Sequence, residues 1–76
     1  MEEKVLEIIK KFKDTENIQI DTDLIHLGIL DSLSMMELLF ALEDEFKIEV
    51  DGEDIIPENF TTVKTIVGML VKNGVL

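Results

Sequence analysis

The sequence predicts an all-α domain: a small four-helix bundle of three main helices, with a short third helix ahead of the last. Two observations carry this expectation. Apolar residues recur at i, i+3, i+4 and i+7 in three separate segments, which is the spacing of one buried helical face. The 76 residues contain one Pro and no Cys, with 46% hydrophobic and 32% charged residues. That is enough apolar material for a single core and too little chain for two. Residues 1–76 are therefore read as one domain, held together by packing alone.

The first helix is expected from Glu2 to Lys13, where Val5, Ile8, Ile9 and Phe12 form the stripe. Lys10, Lys11 and Lys13 close it, as the helix dipole favours. Between Asp14 and Leu30 the period is lost. Ile18 and Ile20 alternate with polar residues, and Leu24, Ile25, Leu27, Ile29 and Leu30 gather around Gly28. A loop of this length needs its apolar side chains anchored in the core.

The second helix is expected from Ser32 to Phe46, with Asp31 or Ser32 as N-cap and Ser34 with Glu37 offering a competing capping box. After it, Ile48 and Val50 read as a short extended stretch and Asp51-Gly52 as a turn. Glu53 to Ile56 reads as at most one helical turn before Pro57. Thr61 or Thr62 then caps a last helix that buries Val63, Ile66, Val67 and Leu70 and stops after Lys72 at Asn73-Gly74.

The second helix carries the most informative pattern. Met35, Leu38, Leu39, Leu42 and Phe46 share one face, which suffices for the core. Leu33, Met36 and Phe40 form another apolar stripe, flanked by Glu37 and Asp44 on one side and Glu43 on the other. Periodicity leaves two readings open: a side covered by another helix, or an exposed strip rimmed by carboxylates on which a basic partner docks.

Charge narrows the function. Seventeen acidic residues against seven Lys give a net charge of -10 and a pI near 4.2. Such a surface repels phosphate, which excludes ordinary nucleic-acid binding and invites basic partners. A mean hydropathy of +0.22 excludes an acidic disordered tail. Crowding of Glu43, Asp44, Glu45, Glu49, Asp51, Glu53 and Asp54 predicts a modest stability that salt or divalent cations raise. No apolar block is long enough for a signal peptide or a membrane span, so a soluble cytoplasmic protein without membrane insertion is expected.

The inventory for catalysis is poor. His26 is the only His and there is no Cys, so neither a triad nor a zinc site can be completed. Asp21-x-Asp23 fails the calcium-loop pattern, since Ile25 stands at the next ligand position. No catalytic residue and no metal ligand is assigned. Ser32 stands apart, between Asp31 and Leu33 where an apolar loop meets an acidic helix. It reads either as an N-cap or as a hydroxyl at a helix N-terminus, where N–H groups and the dipole favour a phosphate.

Leu27-Gly28-Ile29-Leu30-Asp31-Ser32-Leu33, followed by Glu37-Leu38 and Ala41-Leu42-Glu43-Asp44-Glu45-Phe46, resembles the acyl carrier protein family over nearly the whole chain. The resemblance implies a four-helix carrier that performs no chemistry itself. Ser32 would receive 4'-phosphopantetheine from coenzyme A through a Mg²⁺-using phosphopantetheinyl transferase (holo-synthase), and the thiol of the arm would hold an acyl or aminoacyl group as a thioester. Asp31 would help present Ser32 to the transferase and its metal. Leu33, Met36, Glu37, Phe40, Glu43 and Asp44 would dock the transferase and the loading and acyl-transferring enzymes through basic patches. Leu39, Leu42, Phe46, Ile55 and Ile66 would be walls of an interior that shelters an acyl chain.

Ser34 departs from the fatty-acid carriers, which often have an acidic residue there, and the stretch from Gly52 to Phe60 is longer than theirs. The Ile29-Leu30-Asp31-Ser32 approach is similar to D-alanyl carriers and other stand-alone carriers. Met1 favours a free-standing carrier over an excised synthase module, and the need to visit several partners favours a monomer. The reading from another class is an acidic helical adaptor that binds a basic protein without a prosthetic group.

Overall fold

The computed structural model describes residues 1–13 and 17–75. Positions 14–16, where the first loop was expected to begin, and Leu76 lie outside the described residues. Three helices form where the periodicity places them: α1 (Glu2–Lys13), α2 (Ser32–Phe46) and α3 (Val63–Lys72). Val5 and Ile9 of α1, Leu38, Leu39 and Leu42 of α2, and Val63, Ile66, Met69 and Leu70 of α3 meet in one aliphatic core closed by Phe60. Each such side chain contributes roughly 1.5–3 kcal/mol on burial, most of it offset by chain entropy. Val67 is only half-buried, and Met69 takes the core position instead.

The helix ends follow from named side chains. Asp31 is the N-cap of α2, its Oδ1 accepting the Ser34 N–H at 2.9 Å, so Ser32 is the first helical residue. At the other end Lys47 takes a left-handed conformation, φ 56°. The Glu43 carbonyl there accepts N–H groups of both Lys47 and Ile48, which closes the helix. Thr62 caps α3 in a reciprocal box with Thr65: each hydroxyl accepts the other's N–H, at 3.1 and 3.0 Å.

The loop before α2 is anchored as expected at Ile18, Leu24 and Leu30, all buried. Its backbone is tied to the start of α3. Ile20 O accepts the Lys64 N–H at 3.2 Å, satisfying a donor that a helix N-terminus cannot satisfy itself. Leu24 N–H donates to Thr61 O at 2.7 Å. Gly28, at φ +76°, ends the last turn of this loop in a conformation that favours glycine. Leu27 beside it departs from the expectation of anchoring and is 63% exposed.

The short element ahead of α3 differs from the single turn expected over Glu53 to Ile56. Two 3₁₀ turns stand there, Gly52–Asp54 and Pro57–Phe60. Pro57 opens the second turn rather than ending the first, because its fixed φ suits a helical start. Ile56 before it is extended, φ -130° and ψ 153°, as a residue preceding proline prefers. Among the described residues the four-helix expectation thus resolves into three helices and these two turns.

Asp54 was counted among mutually repelling carboxylates, and the structure corrects this. Its carboxyl is buried, with Oδ1 accepting Lys72 Nζ at 2.7 Å and Oδ2 accepting Asn73 Nδ2 at 3.1 Å. The hydrogen bond from Lys72, seconded by that from Asn73, holds the Asp54 carboxyl below the ordinary 3.8. Reciprocally, the bond to Asp54 raises the Lys72 ammonium above 10.5. The Asp54 carbonyl also accepts Asn59 Nδ2 at 2.7 Å, and Asn73 Oδ1 accepts the Asp51 N–H at 2.9 Å. The Asp54 carboxylate therefore fastens the first 3₁₀ turn to the end of α3, and its backbone carbonyl ties in the second.

Candidate functional site

Asp31 in extended conformation turns the chain into α2 and leaves Ser32 exposed on the first turn. Ser34 is buried instead, because it lies one and two turns before Leu38 and Leu42 on the core side of the helix. The chain has two serines, so its one exposed serine hydroxyl is at the N-terminus of α2.

Beside Ser32 lies a groove of about 350 Å³. The loop contributes Ile25, Gly28 and Leu30 to it, α2 contributes Asp31, Ser32 and Met35, and Pro57 closes the far side. The lining is mainly aliphatic, with the Asp31 carboxylate its only charged side chain. Sequence reasoning missed this groove as a site: its walls come from three stretches, and only Asp31 and Ser32 carried a local signal.

The second stripe of α2 is uncovered along most of its length. Leu33 is 72% and Phe40 61% exposed, Met36 is half-buried, and Glu37 and Asp44 are exposed. Together they place apolar side chains among carboxylates on the helix that begins at Ser32. Asp44 pairs with Lys47 at 3.5 Å across open solvent, a contact worth little. Glu43 is different: half-buried, with Oε2 accepting the Val50 N–H at 2.9 Å, it braces the segment that follows α2. Of the interior walls, Leu39, Leu42 and Ile66 are packed in the core, while Phe46 and Ile55 are half-buried at its edge.

His26 is exposed, its N–H donating to Asp23 Oδ1 at 2.8 Å. Among the described residues no group of three or more His, Asp or Glu side chains is placed to hold a metal ion. None of the described helices is long and apolar enough to cross a membrane.

The chemistry that fits the site is attachment at a hydroxyl. A phosphodiester on Ser32 would sit at a helix N-terminus, where dipole and N–H groups favour negative charge. Residues 3–70 match the sequence profile of the family described as "Phosphopantetheine attachment site". The chain is 33% identical over 73 residues to the D-alanyl carrier protein of Streptococcus suis, covering 95% of this chain and 92% of that protein. It is 36% identical over 69 residues to the D-alanyl carrier protein of Streptococcus uberis, covering 88% and 86%. Against that of Streptococcus pyogenes serotype M5 it is 35% identical over 68 residues, again covering 88% and 86%.

Proposed function

We propose, because the chain belongs to the phosphopantetheine attachment family of carrier proteins, that Ser32 Oγ is the atom through which it holds its 4'-phosphopantetheine. The observation that carries this is the contrast between its two serines: Ser32 is exposed at the start of α2, and Ser34 is buried. Ser32 acts as the acceptor. Its Oγ bonds to phosphorus as the phosphoanhydride of coenzyme A breaks, its proton passes to a base of the transferase, and adenosine 3',5'-bisphosphate leaves. Asp31 fixes the helix start that presents the hydroxyl, and its carboxylate faces the transferase and its Mg²⁺. The prosthetic group supplies a terminal thiol that carries cargo as a thioester.

The chain itself performs no chemistry on the cargo. Leu33, Met36 and Phe40 form the apolar part of a docking strip, and Glu37 and Asp44 steer transferase and loading enzymes whose patches are basic. Glu43 adds charge to its rim while bracing Val50. The relatives' names favour an aminoacyl cargo, with D-alanyl the first to test, carried by a monomer in the cytoplasm. An adaptor without a prosthetic group leaves the family match unaccounted for.

Intact mass before and after incubation with coenzyme A, Mg²⁺ and a broad-specificity phosphopantetheinyl transferase tests the reading. One added phosphopantetheine is expected, on the peptide containing Ser32, with none on Ser32→Ala at unchanged melting temperature. Full modification of that variant moves the attachment site elsewhere.

A further inference from the structure

We propose that the groove beside Ser32 is the resting place of the proximal part of the phosphopantetheine arm, with its gem-dimethyl group against Ile25, Met35 and Pro57. This rests on Ser32 being the attachment site. The groove has Ser32 in its own lining, so a group attached at Oγ starts beside this concave surface. The chemistry of the arm matches the order of surfaces it would cross. A charged phosphodiester comes first and stays at the exposed helix start. Three bonds beyond phosphorus a quaternary carbon carries two methyl groups, the bulkiest apolar feature of the arm.

Apart from Asp31 and Ser32 the lining is apolar, and the Met35 thioether can adapt its shape to a branched carbon. Gly28 contributes only backbone to the lining. The volume, about 350 Å³, holds a branched group of this size and part of the amide after it. Nothing has to open to admit it. Leu39, Leu42 and Ile66, which would have to part for a guest in the interior, are at most 2% exposed.

The test uses partner-free holo-protein, made from ¹³C-labelled protein and unlabelled coenzyme A, with modification at Ser32 verified by mass. Isotope-filtered NOEs are expected from the gem-dimethyl protons to the Ile25 δ-methyl and the Met35 ε-methyl. Between apo and holo forms those two methyls are expected to shift more than the methyls of Leu33 and Leu42. Complete modification at Ser32 with no such NOE and no shift at Ile25 or Met35 overturns the resting place and leaves the attachment site standing. Absence of modification at Ser32 overturns the attachment site and this inference together.

Discussion

The two ends of α2 are built on opposite terms. At the C-terminal end Glu43 Oε2 holds Val50 N–H, the left-handed Lys47 closes the helix, and Lys4 reaches Glu45 at 3.2 Å. The following turns are then fastened by Asp54 to Lys72 and Asn73. At the N-terminal end one carboxylate, Asp31, caps the helix, and Ser32 and Leu33 stand in solvent beside a groove. The difference teaches where this domain keeps its stability and where, on the proposed reading, it keeps a surface for others. Substitutions at the fastened end should register in unfolding, and those at the open end in modification and docking.

The sharpest separation should come from Leu42, fully buried in the half of α2 that leads to the fastened end. Leu42→Ala is expected to cost about 2–5 kcal/mol in urea unfolding, by lost transfer energy and the cavity left behind. A loss as small as that of a surface change would mean the core tolerates voids there.

Asp54→Asn tests the fastening itself, through pH. The Asp54 carboxyl is held below its ordinary 3.8, so its contribution is present above that pH and fades as pH falls through the lowered value. The Lys72 ammonium is held above 10.5, so its contribution is present below that pH and fades as pH rises through the raised value. Wild type should therefore melt higher than Asp54→Asn by a constant margin across neutral pH, with the margin closing as pH falls below 3.8 through the lowered value. A margin unchanged in acid would show that the carboxylate charge contributes nothing.

Glu43→Ala should cost about 1 kcal/mol, because Val50 N–H loses its acceptor, while Glu43→Gln, which keeps an acceptor, should lose less. Equal losses in the two variants would assign the effect to charge instead. The smallest effect belongs to the open end: Leu33→Ala, at 72% exposure, should change stability by less than about 0.5 kcal/mol while slowing modification by the transferase. A large drop in melting temperature would place Leu33 in the fold and break the comparison.

Most of this fold was legible in the sequence because its three helices announce themselves locally. Val5 and Ile9, or Val63, Ile66 and Leu70, recur at the helical period whatever they pack against. The same arithmetic separated Leu33 and Phe40 from Leu38 and Leu42, and the structure leaves the first pair exposed and the second buried. What stayed hidden depends on partners distant along the chain. Asp54 looks like one more surface carboxylate until Lys72, eighteen residues on, is folded against it. The groove exists only because Pro57 is brought opposite Met35 and Ile25. Ser34 could have been found, since it shares a face with Leu38 and Leu42, but a serine gives no hydrophobic signal to a search for stripes.

Ser32 and the exposed Phe40 lie eight residues apart on one helix, about 12 Å along its axis. An enzyme that grips Phe40 and reaches Ser32 covers the whole of this face, so a second enzyme cannot bind until the first has gone. On the proposed reading, partners exclude one another in time, and traffic through the carrier is limited by how quickly each lets go. Tight docking would then slow the pathway it serves. A short strip with a steering rim suits such a carrier, since charge hastens arrival while the small apolar area keeps each visit brief.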